Sequence, residues 1–152
     1  MSELGRGIVA GVLAASVTSL FQSTWTAAQV RPIDKPAVPP PPTEIVADRA
    51  AQLFTGNAWP SSTRAFAGEA VHYATGAAMG AAYVLGGSRW QRGRGVAYGL
   101  GCWAVVEELG LTLARIRPAP WRVEPAEHVF AATSHIVFGL ALDSFLRLAK
   151  IE

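Results

Sequence analysis

Residues 7–28 read GIVAGVLAASVTSLFQSTWTAA, a stretch of 22 residues without a charged side chain. At a rise of about 1.5 Å per residue, a helix of this length crosses a hydrocarbon core about 30 Å thick. We therefore interpret the stretch as a membrane span. A secretory signal peptide is the alternative, because Arg6 precedes the stretch and small residues follow, but the apolar run is long and only one basic residue stands before it.

Three later blocks also have spanning length, at 66–86, 95–114 and 129–148. The chain of 152 residues is 51% hydrophobic and 16% charged, with a mean hydropathy of +0.26, which is too apolar for an ordinary soluble domain. The sequence therefore predicts an all-α fold: a single integral membrane domain over 1–152, built as a four-helix transmembrane bundle with both termini on one side.

The loop at 29–65 separates the first two predicted spans. Its stretch 31–42 reads RPIDKPAVPPPP and holds six of the ten prolines, which predicts extended polyproline II backbone. Thr43 is expected to cap a short helix over Glu44 to Phe54, with apolar residues on one side and charged residues on the other. We expect this helix to lie in the membrane interface.

Composition and motifs exclude several function classes. The net charge is +2 and the basic residues are scattered between apolar blocks, so nucleic-acid binding has no support. Cys102 is the only cysteine, which leaves no disulfide framework and no CxxC motif. No HExxH motif and no nucleophile elbow occurs. We therefore expect no catalytic activity and no catalytic residues.

The chain contains an internal similarity. Residues 5–11, GRGIVAG, align with residues 93–99, GRGVAYG, and His72-xxx-Gly76 matches His135-xxx-Gly139. This pattern predicts a pseudo-two-fold repeat of two-helix units. Small residues four apart let helix backbones approach closely, so we expect helix packing at three glycine pairs, although such pairs also arise by chance in a Gly-rich chain: Gly7 and Gly11, Gly76 and Gly80, Gly95 and Gly99.

Ionisable residues inside the predicted spans form a candidate polar cluster under one membrane face. Helical rise places three of them roughly 9 to 11 Å below that face. The candidate members are His72, His135, Glu107, Glu108 and Glu69. We expect the two histidines to approach each other or share a partner, with Glu107 as the inward carboxylate.

Intramembrane ionisable groups mark functional sites by default, but histidine and glutamate also act as hydrogen-bonded structural glue between helices. A proton or small-solute relay is a second interpretation, and ligation of a metal or haem is a third. No ligand spacing in the chain is specific for either cofactor, so no cofactor is predicted.

In the order of its elements, the chain resembles the YagU-like family of bacterial inner-membrane proteins, which are built around a domain of unknown function. The matching elements cover nearly the whole chain: the Gly-rich first span ending near Trp25, Pro39 to Pro42, the stretch HYATG at 72–76, PAPW at 118–121 and SHIVFG at 134–139. The resemblance implies a helical bundle in the bacterial inner membrane, with no established reaction, cofactor or catalytic residue.

The function that these features predict is non-catalytic. We expect a multipass membrane protein that acts by helix packing in the lipid bilayer, as a homo-oligomer or an accessory subunit of a larger complex. The alternative is a small transporter, or a protein that handles protons or metal ions through the His/Glu cluster. Basic residues in the short connection between the second and third blocks favour termini in the cytoplasm.

Overall fold

The computed structural model describes residues 1–28, 40–86 and 94–149 of the chain. All regular secondary structure in these ranges is helical. We number five helices along the chain: α1 (Glu3–Ala28), α2 (Pro42–Thr55), α3 (Ser61–Leu85), α4 (Gly95–Leu113) and α5 (Pro125–Leu148). A single 3₁₀ turn, Pro120–Arg122, lies in the α4–α5 loop.

The four long helices pack as two antiparallel pairs, α1 with α3 and α4 with α5, and α1 also contacts α5. A small apolar core fills the centre between α1, α3 and α5. Its buried members are Ala10, Ala14, Tyr83, Val84, Phe138, Leu142 and Leu146. The core is assembled from few large side chains, because small residues bring the helix backbones together.

Glycines form the closest contact in each pair. A β-carbon on Gly11 would collide with the carbonyl oxygen of Gly76, and one on Gly7 would collide with that of Gly80. In the second pair, Gly95 faces Gly139 in the same way, and Gly99 faces the His135 backbone. The structure thus places the six glycines singled out in the sequence at two helix crossings, together with Gly139.

Of the helices within residues 1–28, 40–86 and 94–149, three are long enough and apolar enough to cross a membrane: α1, α4 and α5. Helix α3 has 25 residues, which is ample length, but Arg64, Glu69 and His72, together with its glycines, lower its mean hydropathy and keep it outside that group. Helices α1, α3 and α5 start four or five residues before their apolar blocks, whereas α4 starts at Gly95 together with its block.

Helix α2 differs in its start from the sequence expectation. It begins at Pro42, so Thr43 lies inside the helix and Pro41 precedes it without a side-chain cap. Proline suits the first helical position because the backbone N–H that it lacks would have no partner there. Most of the predicted polyproline II stretch, 31–39, lies outside the described residues, as does the basic connection at 87–93.

One side of α2 packs on α3. Gly68 of α3 lies so close to Glu44 that a β-carbon there would collide with the Glu44 side chain. Ala47 is buried in the same contact, whereas Leu53 and Phe54 at the end of α2 are more than three-quarters exposed. The apolar end of α2 therefore has no cover from the described part of the bundle.

Candidate functional site

The most polar part of the bundle lies at the C-terminal end of α4. The helix is α-helical over Gly95–Cys102 and π-helical over Trp103–Gly110, before a final α-turn. Wide π turns are uncommon and are often found at functional sites. Both Glu107 and Glu108 lie on this segment.

Glu107 pairs with an arginine from the loop that follows. Its carboxylate accepts a hydrogen bond from Arg117 at 2.9 Å, and the other guanidinium nitrogen of Arg117 lies 3.5 Å from Glu127 on α5. The Arg117 side chain is 13% exposed, so this cation is held between the two carboxylates and is largely shielded from solvent. The pairing ties the loop to both α4 and α5.

Glu108 pairs with His128 at the start of α5. The His128 Nδ1 atom lies 2.8 Å from the Glu108 carboxylate, and Nε2 lies 2.9 Å from the Pro120 carbonyl oxygen. A protonated imidazolium can donate to both oxygens at once, whereas the neutral ring can donate to only one. The Trp103 ring meets His128 edge-on at 6.4 Å and encloses the pair on the α4 side.

Arg49 of α2 closes the same end of the bundle. Its guanidinium donates to the carbonyl oxygens of Ala114 and Arg115, the latter at 2.8 Å. Arg115 adopts a left-handed backbone conformation with φ 54°, which ends α4 and turns the chain back toward α5. Helix C-termini leave carbonyl groups without helical partners, so a cation here satisfies them directly.

We name these residues the α4-end network: Glu107, Glu108, Arg117, His128, Glu127 and Arg49. Within it, Arg117 and His128 pair with carboxylates, and Arg49 donates to backbone carbonyl oxygens at the start of the α4–α5 loop. The arrangement can hold the loop rigidly and can exchange protons at His128.

The remaining members of the predicted cluster lie apart from this network. His72 on α3 places Nε2 3.1 Å from the Ser19 hydroxyl and 3.3 Å from the Ala15 carbonyl oxygen, so it bonds to α1. His135 uses Nδ1 on the Ala131 carbonyl of its own helix, at 3.0 Å. Glu69 is exposed.

Among the described residues, His72 and His135 share no hydrogen-bond partner, and Glu107 pairs with Arg117 and not with either histidine. The approach of the two histidines to each other stays a prediction, and their equivalence along the chain does not extend to the helix crossings. In the internal similarity, Gly99 corresponds to Gly11, and His135 corresponds to His72. Gly99 packs against His135, whereas Gly11 packs against Gly76, which is four residues beyond His72. The two helix pairs therefore differ in register by about one helical turn.

A second polar group lies near the opposite end of the bundle. The Tyr83 hydroxyl of α3 donates to Asp143 of α5 at 3.1 Å, and Arg147 donates to the other carboxylate oxygen at 2.6 Å. Asp143 and Arg147 are four residues apart on one helix, a spacing that brings two side chains together on the same face. The Tyr83 contact has no such signal, because it joins residues 60 positions apart.

No pattern in the sequence predicted the contacts of Arg117 and Arg49. Each acts on a partner ten or more residues away through a loop or a separate helix, beyond the reach of helical periodicity. Among the described residues, no group of three or more His, Cys, Asp or Glu side chains is arranged to hold a metal ion.

Comparison with protein-family models, curated proteins and solved structures finds no match to this chain.

Proposed function

We propose that this chain is a non-catalytic, multipass protein of the bacterial inner membrane that works by helix packing, as a subunit of an oligomer or of a larger membrane complex. In this proposal α1, α3, α4 and α5 form a four-helix transmembrane bundle with cytoplasmic termini, and α2 lies in the interface. The resemblance to the YagU-like family and the two-helix repeat stay predictions of the sequence.

The observation that carries the proposal is the exposure of α4. Only 6% of its apolar stretch is buried within the molecule, against 33% for α1 and 39% for α5. Exposed residues recur every four positions along one side of α4, namely Ala97, Gly101, Val105, Leu109 and Leu113. A β-carbon on Gly101 would meet nothing within 4 Å.

An exposed row that begins with two small residues is typical of the surface through which a transmembrane helix packs against another. Lipid tails would cover the same row in a monomer, so apolarity alone does not require a partner. The small residues Ala97 and Gly101 favour a second helix over lipid as the contact on this side, because they let another backbone approach closely. We propose a second copy of the chain as that helix.

The α4-end network supports a structural role in this proposal. It fixes the end of α4 to α2, to the loop and to α5, and so holds the exposed row in one orientation. A partner surface gains from such rigidity, since less freedom is lost when the partner binds.

Proton handling is the second candidate. Two adjacent carboxylates on a π-helical segment, one of them bonded to a histidine, are the observation that favours it. A liposome assay separates the two: pH-driven flux in the wild type that is lost in both His128→Ala and His135→Ala supports conduction. An equal leak in all three proteins supports the structural role.

The oligomer is tested by measuring the mass of the protein in mild detergent, with native mass spectrometry and light scattering. The proposal expects twice the chain mass of 16.1 kDa or a larger multiple. A Gly101→Trp variant, which fills the exposed row without touching the bundle, is expected to shift the protein to the monomer. A wild type that is strictly monomeric and isolates without another protein would contradict the proposal.

A further inference from the structure

A groove between α1 and α5 lies at the end of the bundle that holds the chain termini. Its cavity has a volume of about 280 Å³ and is open on one side. Arg6 stands at one end of the groove, and its walls are apolar, formed by Val9 and Leu13 of α1 and by Phe145 and Leu148 of α5.

The arginine in this groove is not paired with a carboxylate of the described residues. Among the described residues, the Arg6 guanidinium forms no ion pair, whereas Arg64, Arg117 and Arg147 each pair with a carboxylate. A guanidinium matches phosphate geometry through paired hydrogen bonds, and it does so most strongly where water is scarce. The groove thus offers a strong anion contact that the protein itself leaves unused.

Arg6 supplies a charged side chain to a groove whose other lining side chains are apolar. From Arg6 to Leu13 the rise of α1 covers roughly 10 Å, directed from the bundle end toward its middle. A phospholipid has the same order of groups, with a phosphate at the headgroup level and hydrocarbon below it. A soluble anion would match Arg6 alone and would leave Val9, Leu13, Phe145 and Leu148 without an apolar partner.

The sequence segments next to this end carry a net positive charge. Residues 1–6, 87–94 and 143–152 together carry six basic and three acidic side chains. Basic segments next to membrane helices attract anionic lipids of the cytoplasmic leaflet.

From these observations we infer that the groove between α1 and α5 is a binding site for an anionic phospholipid, with the phosphate on Arg6 and an acyl chain along Val9, Leu13, Phe145 and Leu148. The inference rests on the proposed membrane location but is independent of oligomer formation through α4. It assigns to Arg6 a role that helix packing does not require.

The test uses the full-length protein, stripped of lipid in a neutral detergent and titrated with phosphatidylglycerol under native mass spectrometry. We expect retention of phosphatidylglycerol over phosphatidylcholine with the same acyl chains. Arg6→Gln should weaken retention about tenfold, which is the loss expected for one charge-assisted phosphate contact. Arg6→Lys keeps the charge but loses the paired hydrogen bonds, so its retention should lie between those of the wild type and Arg6→Gln.

Two further variants keep the test decisive. Leu13→Trp fills the groove while leaving Arg6 in place, and should displace the lipid even if Arg6→Gln folds poorly. Arg122→Gln removes an exposed arginine from the opposite end of the bundle and should leave retention unchanged.

Equal retention of phosphatidylglycerol by wild type, Arg6→Gln and Leu13→Trp would overturn the site, and so would equal retention of phosphatidylcholine. Full competition by inorganic phosphate would also overturn it, because a soluble anion would then be the ligand. Extraction of the protein from membranes by alkaline carbonate would instead contradict the proposed membrane location, so the two failures are distinguishable.

Discussion

The carbonyl oxygen of His135 occupies the space in which a side chain on Gly99 would begin. The two backbones are in contact at this point because α4 has glycine there, and the same holds for Gly11 and Gly76 in the other helix pair. Close backbone approach gains dispersion contacts between helices that have no hydrophobic driving force inside lipid. Each helix pair therefore depends on glycine at its crossing, because any other residue would place a side chain between the two backbones.

Gly99→Ala is expected to destabilise the bundle, because the added methyl group forces α4 away from α5. Overpacking of this kind costs about 1 to 3 kcal/mol. Unfolding by sodium dodecyl sulfate, followed by circular dichroism in mixed micelles, measures the effect. Gly101→Ala is the matched control at protein concentrations at which the chain is monomeric, since its methyl group meets no atom of the same chain within 4 Å and alanine favours the helix. Equal stability of the two variants would show that the crossing is not tightly packed.

The glycine pairs illustrate what the sequence could predict. Spacing by four along an apolar block identifies a close-packing face, so Gly7, Gly11, Gly95 and Gly99 could be named before the structure was known. The partner of each face could not, because the register between two helices is set by their whole contact. His72 and His135 look equivalent along the chain, yet only the His135 backbone lies at a crossing.

Polar contacts within one helix were also predictable from the sequence, whereas polar contacts between separate elements were not. The Asp143–Arg147 pair lies within one helix and was predictable from its spacing. Arg117 reaches Glu107 only because Arg115 adopts a left-handed conformation and turns the loop back. The expectation that Glu107 is the inward carboxylate assumed the roughly 100° per residue of an α-helix, and the π-helical segment departs from that geometry.

Tyr83→Phe should lower the free energy of unfolding by about 1 kcal/mol, the usual size of a hydrogen bond between membrane helices. The hydroxyl bonds to Asp143, which is 7% exposed and cannot recruit water freely in its place. The same micelle unfolding assay applies. Tyr73→Phe serves as the control, because the Tyr73 hydroxyl makes no hydrogen bond to a described residue. Identical losses in both variants would argue against the Tyr83–Asp143 contact.

Arg117→Gln should loosen the α4–α5 loop, because it removes the cation between Glu107 and Glu127 and leaves two carboxylates close together. Hydrogen exchange of residues 114–124 is the measurement, with faster exchange expected in the variant and little change in α1. Arg122→Gln, in the same loop but exposed, should exchange like the wild type. Unchanged protection in Arg117→Gln would mean that the network does not hold the loop.

Arg115→Gly should stabilise the protein by about 1 kcal/mol, because glycine adopts a positive φ without the steric cost that other residues carry. The contact from Arg49 is kept, since it uses the Arg115 backbone carbonyl. Thermal unfolding of the detergent-solubilised protein provides the comparison. Arg122→Gly, where φ is not positive, should be neutral or destabilising. A loss of stability in Arg115→Gly would show that the Arg115 side chain itself contributes.

The α4 surface provides the most direct test of the proposed function. In a Cys102→Ala background, a cysteine is introduced at Gly101, on the exposed row, or at Leu140, which is 49% exposed on α5. Oxidative disulfide formation is then measured in native membranes, before any detergent is added. Leu140 lies nearer the terminal end of the bundle than Gly101, because Gly95 faces Gly139 and Gly99 faces His135, and both positions lie within the proposed transmembrane segments.

The account predicts a disulfide-linked dimer at Gly101→Cys and a monomer at Leu140→Cys. Dimer formation that is absent at Gly101→Cys, or equal at both positions, would contradict a second copy of the chain packed on α4.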